Sequence, residues 1–174
     1  MRAVGVAAGI ALIGVAVAGC GGTSTPQAAT TTSAAPKAVL ASPNTIGLCG
    51  GVSDAEVGRQ AGLADPARVS VNALSCVWQP GSGGDAVIFH WFRGSSLEER
   101  RTQVTTGKPA TVQVAGQAGI EWRDASGCEV AVAFGDTDFI DWTVRHTVPG
   151  GSNTQSCPGV EALAAATLQQ AGQG

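Results

Sequence analysis

Apolar residues recur along this chain with a period of two over its second half. In residues 128–134 Cys128, Val130, Val132 and Phe134 share one side of an extended segment, and Ile140, Trp142 and Val144 do the same in 138–145. Ile120 and Trp122 alternate with Glu121 and Arg123 in 118–124, and 110–114 is a further segment of this kind. Such alternation places one set of side chains on each face of a strand. The segments are separated by Ala115-Gly116-Gln117, Ala125-Ser126-Gly127 and Gly135-Asp136-Thr137, and turns this short join antiparallel neighbours. The pattern predicts four strands with one core face and one partly wet face.

Further upstream, 69–79 reads as one strand with Cys76 and Trp78 on a common face, followed by the turn Pro80-Gly81-Ser82-Gly83-Gly84. The next strand, 85–93, carries Val87, Phe89 and Trp91 on one side and Ile88, His90 and Phe92 on the other. Apolar residues on both sides suit a central strand. Helices are marked by their starts. Ser53 and Glu56 form a capping box that opens a helix over 53–62, stopped by Gly62, and Ser96 and Glu99 open another that runs to about Thr105. The stripe on the latter, Leu97, Arg101 and Val104, is only partly apolar and suits a surface position. After a loop containing Pro149-Gly150-Gly151, residues 158–170 carry Val160, Leu163, Ala164, Thr167 and Leu168 at helical spacing. The order is helix, two strands, helix, four strands, helix. This predicts an α+β fold with an antiparallel sheet of about six strands and three helices packed on it.

The N-terminus follows another pattern. Arg2 precedes an unbroken small and apolar run from Ala3 to Gly19, which ends at Cys20. That is the form of a signal peptide over 1–19. Val17-Ala18-Gly19-Cys20 matches the bacterial lipobox, in which the cysteine thiol receives a diacylglycerol before cleavage ahead of it. An uncleaved anchor is the competing reading, and the small residues before Cys20 weigh against it. Each buried methylene of an acyl chain contributes about 0.8 kcal/mol, so two or three chains hold a protein on a membrane almost permanently. Residues 20–43 are rich in Thr, Ala, Ser and Pro and have little to bury, which makes them a tether. As a coil they would span about 25–30 Å. Residues 44–174 remain as a single extracytoplasmic domain, held at the cell membrane through Cys20.

Composition narrows the partners. The 174 residues carry a net charge of -3, and a pI near 5.2 leaves no basic surface of the kind that holds nucleic acid. Setting Cys20 aside leaves Cys49, Cys76, Cys128 and Cys157, an even set in an exported chain, and disulfides are the default use of such a set. Four cysteines allow three pairings. Separations of 27 and 29 positions favour Cys49 with Cys76 and Cys128 with Cys157, closing two similar loops. Zinc is disfavoured because no pair has C-x2-C spacing and neither His90 nor His146 stands at a ligand offset from a cysteine. No metal or cofactor is expected.

Catalytic chemistry finds little support in the residues. Asp136, Asp138 and Asp141 lack the alternating ligands and terminal glutamate of a calcium loop. The glycine-rich turn at 80–84 lacks the Lys-Ser/Thr of a phosphate loop. No serine lies in a G-x-S-x-G elbow that would make His90 a triad base, so no catalytic residue is assigned. Trp91, Phe92 and Arg93 end a strand before Gly94, where a ring and a guanidinium can meet at the sheet rim. His90, Trp91 and Arg93 are therefore the candidate binding residues.

Several segments in order carry a resemblance: Cys49-Gly50-Gly51-Val52-Ser53-Asp54, Cys76-x-Trp78, Phe89 through Ser95, Cys128-Glu129-Val130 with Phe134, Phe139 through Val144, and Cys157 before a helix. Together they make the chain similar to the LprB/LprC type of actinobacterial lipoprotein, a family of unassigned function. The resemblance covers most of 48–170 and implies an acylated, disulfide-bonded envelope domain. It brings no catalytic residues to carry over. The expectation is a non-enzymatic domain that binds an envelope lipid, glycan or protein, with two alternatives: an accessory subunit of a membrane transporter or sensor, and an envelope hydrolase or transferase built on His90 or the three aspartates.

Overall fold

A computed structural model of the chain describes residues 45–147 and 156–172. The leader at 1–19, Cys20, the tether at 20–43 and the Pro149-Gly150-Gly151 loop lie outside the described residues. Within them, seven strands form one antiparallel sheet: β1 (Pro66–Val71), β2 (Ser75–Pro80), β3 (Ala86–Phe92), β4 (Ala110–Val114), β5 (Gln117–Asp124), β6 (Gly127–Phe134) and β7 (Asp138–Arg145). The spatial order is β1-β2-β3-β7-β6-β5-β4. Three α-helices accompany it, α1 (Asp54–Ala61), α2 (Leu97–Gln103) and α3 (Ser156–Ala171), with a short 3-10 turn at Leu48–Gly51. The expected α+β class holds.

The seventh strand comes from a break in 69–79, where the sequence pattern predicts one continuous strand. Asn72 makes the break. Its backbone N–H donates to Ser75 O at 2.8 Å and its Oδ1 accepts from Leu74 N at 2.9 Å, so the chain reverses at 72–74 and β1 pairs back on β2. Asparagine side chains hold turns in this way. After β3 the chain passes through α2 to the far edge at β4 and returns strand by strand, so that β7 closes against β3. This connection gives β3 the interior position its two apolar sides predict.

Both serines cap their helices, while the glutamate half of each box is bonded elsewhere, Glu56 to Arg59 and Gln60 and Glu99 to Ser95. Ser53 Oγ accepts from Glu56 N at 3.2 Å, Gly62 ends α1 in the left-handed conformation, and Ser96 Oγ accepts from Glu99 N at 3.1 Å. Helices α1 and α3 and the 3-10 turn cover one face of the sheet. There Trp142 of β7 stacks on Trp78 of β2, with ring centroids 5.5 Å apart, and tilts against Phe89 of β3 at 5.0 Å. Val160, Leu163 and Ala164 of α3 close this core. α1 and α3 cross at Gly159, where a Cβ would lie 2.0 Å from Gln60 O. Only glycine allows that approach.

The second face corrects an expectation. Ile120 and Trp122 pair across β5–β6 with Ala131 and Glu129, so they turn away from Val130 and Val132. With Ala131 and Phe139 they form a separate small core under α2, joined by Leu97, Val104 and Phe92. Alternation alone sets two faces but not which of them meets which in the neighbouring strand.

Disulfides join Cys49 to Cys76 and Cys128 to Cys157, with Cα–Cα distances of 5.2 and 5.5 Å. The first ties the chain's entry to β2, and the second ties the first turn of α3 to β6. Loops of this size contribute roughly 3.5 kcal/mol each on the chain-entropy model.

Candidate binding cleft

The alternation of β3 separates the three candidate residues. Trp91 lies on the same side as Phe89, at the rim of the helix-covered face, and meets Phe134 edge-on at 6.0 Å. Its indole N–H donates to Asp138 Oδ2 at 3.1 Å. Gly94, at φ 69°, turns the chain so that its own N–H donates to Asp138 Oδ1 at 3.0 Å, and Thr137 Oγ1 donates to the same oxygen at 3.3 Å. Asp138 thereby accepts from three donors of its own neighbourhood. Arg93 completes the group. Its guanidinium stands 5.1 Å from the centroid of the Trp91 ring, and its Nε lies 3.9 Å from Asp138 Oδ2. The side chain is 66% exposed, and the described residues place no hydrogen bond on it. A guanidinium held by a ring face and a distant carboxylate keeps its fork of donors open.

These residues line an open cleft of about 680 Å³. Ile46, Trp91 and Phe134 supply its apolar wall, and Thr45, Asp136 and Thr137 its polar one. The cleft lies at the rim of the sheet, between the end of β3 and the β6–β7 turn. A second cleft, of about 420 Å³, shares Phe134 and Gly135 with it and is otherwise lined by residues such as Ala115, Gln117 and Leu168.

His90 belongs to the opposite face. It stands across from Asp141 in the β3–β7 register, among groups that Arg100 of α2 holds together. Arg100 Nε lies 3.3 Å from Asp141 Oδ2, its Nη2 pairs with Glu129 Oε1, and its guanidinium stands 4.9 Å from the centroid of the Trp122 ring. Arg145 reaches Glu129 from the other side at 3.5 Å, and Thr143 Oγ1 donates to Asp141 Oδ1 at 3.2 Å. Asp141 is 2% exposed and Glu129 5%. Burial, together with a hydrogen bond and repulsion from Glu129, pushes the Asp141 carboxyl well above the usual range. Burial lowers the His90 imidazole. Arg100 thus joins α2 to β6 and β7 through Glu129 and Asp141.

The three aspartates weighed as a cluster are likewise divided, with Asp136 and Asp138 at the cleft and Asp141 under α2. Glu129, named above only within the resemblance, and Arg100 are not among the candidate residues that the sequence offers. The available signal was a lone carboxylate between Cys128 and Val130 in an otherwise apolar strand. One grouping of metal-ligating types among the described residues is Glu121 with Cys128 and Cys157. Its two sulfurs are bonded to each other and offer no thiolate. A hydrogen bond to Glu121, followed by burial, raises the Glu161 carboxyl beside it.

A disulfide-braced α+β domain with a cleft at the rim of its sheet defines the class. The chain belongs to the family described as Protein of unknown function (DUF3558), whose model matches residues 15–170. It is 35% identical over 112 residues to LprB of Mycobacterium tuberculosis, a protein named as a lipoprotein, and the match covers 57% of this chain and 58% of that one. LprB of Mycobacterium bovis gives the same values, and LprB of Mycobacterium leprae is 32% identical over 112 residues, 57% of each chain. The matches thus span less than two thirds of these relatives. No solved structure matches the chain.

Proposed function

We propose that this lipoprotein is a non-enzymatic binding module of the cell envelope, acylated at Cys20 and holding an envelope component in the cleft at Trp91, Arg93 and Asp138. The observation that carries the reading is the state of Arg93. Its guanidinium is set over Trp91 and 3.9 Å from Asp138, yet the side chain lies 66% exposed at the cleft with no hydrogen bond from the described residues. Such an arrangement orients a ligand without having to reorganise. The Glu129–Arg100–Asp141 group supports the non-enzymatic part, because its carboxylates are spent on arginines and covered by α2.

Hydrogen exchange tests the reading. The acylated protein in its own membrane vesicles is compared with the same protein extracted into detergent. Slower exchange in vesicles over 45–48 and 134–138, abolished in Arg93→Ala, is the expected result. Equal exchange in both settings, or protection unaffected by Arg93→Ala, would overturn it.

A further inference from the structure

The cleft's lining also bears on the class of ligand, on the premise that the cleft is the binding site. At its Arg93 end one guanidinium faces two carboxylates, Asp136 and Asp138, and the adjoining cleft has no charged residue on its walls. A phosphate or polyanion would meet an excess of negative charge there. A long acyl chain fits no better, since the apolar side chains at this end are only Ile46, Trp91 and Phe134, set against five polar or charged ones, Thr45, Arg93, Asp136, Thr137 and Asp138, in an open depression. What remains complementary is a neutral molecule whose groups both donate and accept. Hydroxyls do both: they accept from Arg93 and donate to the Asp136 carboxylate, while Thr45, Thr137 and Gln117 take either part.

The shape adds a second, independent observation. Both depressions include Phe134 and Gly135, so they meet at the end of β6 and form one path from Thr45 to the last turn of α3. That path crosses the β4–β5 turn, at Ala115 and Gln117, and the β6–β7 turn, at Gly135 to Thr137. Turns present no free ladder of backbone N–H and C=O groups, which an extended peptide would need in order to add as a strand. We infer that the joined clefts bind a neutral, polyhydroxylated chain, an uncharged oligosaccharide, with one end hydrogen-bonded at Arg93 and Asp136 and the body lying over Phe134 toward Gln117.

The test uses the acylated full chain in nanodiscs and calorimetric titration with uncharged gluco-, galacto-, manno- and arabino-oligosaccharides of increasing length. Inositol hexakisphosphate and an extended Ala/Ser peptide serve as contrasting probes. Expected is binding of at least one sugar series near millimolar affinity or tighter, strengthening with length and indifferent to salt. Arg93→Ala and Gln117→Ala should each weaken it, the former about tenfold or more, with unchanged melting temperatures. Binding of the phosphate probe, lost on adding salt, or of the peptide, with the sugars failing, overturns the oligosaccharide assignment and leaves the cleft as the site if Arg93→Ala abolishes it. Sugar binding that neither variant alters overturns both. Failure of every probe overturns the oligosaccharide class, and the exchange experiment then decides the cleft by itself.

Discussion

Trp142 of β7 donates its indole N–H to Thr167 Oγ1 of α3 at 3.0 Å, and both residues are fully buried. The hydroxyl in turn donates to Leu163 O at 3.2 Å, so one threonine satisfies the only polar group of the central tryptophan and keeps its own proton satisfied. An indole N–H without a partner in such a place costs about 1–3 kcal/mol.

Thr167→Val keeps the shape and removes the acceptor. The expected loss is about 1–3 kcal/mol of unfolding free energy, read from urea denaturation with an unchanged slope. A neutral result would mean that α3 does not depend on this bond for its seat.

Acid and alkali act on the face beneath α2 in opposite senses. The Asp141 carboxyl is raised, by burial first and then by Glu129, so the folded chain keeps a proton that the unfolded chain releases. Its contribution to stability is full below the ordinary carboxylate range and is lost as pH rises through the raised value. His90 is lowered by burial, so its contribution is present above the usual 6.5 and is lost as pH falls through its depressed value. Arg100, Glu129, Arg145 and Thr143 surround the two. Stability measured against pH should therefore decline less on the alkaline side in Asp141→Asn and less on the acid side in His90→Gln, whatever the absolute cost of each change. Parallel curves for wild type and variants would refute the assignment.

Much of the fold was legible because its signals are local. Ser53 and Ser96 announce their helices through side chains that reach only three residues ahead, and the four late strands follow from alternation and short turns. Asn72 was legible in principle, as a turn residue inside an apolar run. The face of Ile120 and Trp122 was not, because it depends on the β5–β6 register, a relation between segments. The site divides in the same way. Alternation along β3 already put His90 opposite Trp91, and the meeting of Trp91 with Arg93 at the rim follows from their spacing. Asp138 could not be linked to them before the β3–β7 pairing brought Phe92 across from Phe139. Arg100 and Glu129 meet only because α2 folds over β6.

Anchoring has a direct genetic test. On the proposed anchoring Cys20→Ala removes the thiol that would accept a diacylglycerol, and the expected outcome is a protein that no longer carries palmitate label and no longer sediments with membranes. Unchanged label and sedimentation would place the anchor elsewhere.

The central claim, that the Trp91–Arg93–Asp138 cleft holds an envelope component, meets its most direct test in native mass spectrometry of the acylated protein taken from its own membranes. Wild type and Arg93→Ala are weighed before and after denaturation. A discrete extra mass on folded wild type, released by denaturation and absent from Arg93→Ala, is predicted. Identical masses for the two proteins in both states, whether or not something is bound, would contradict it.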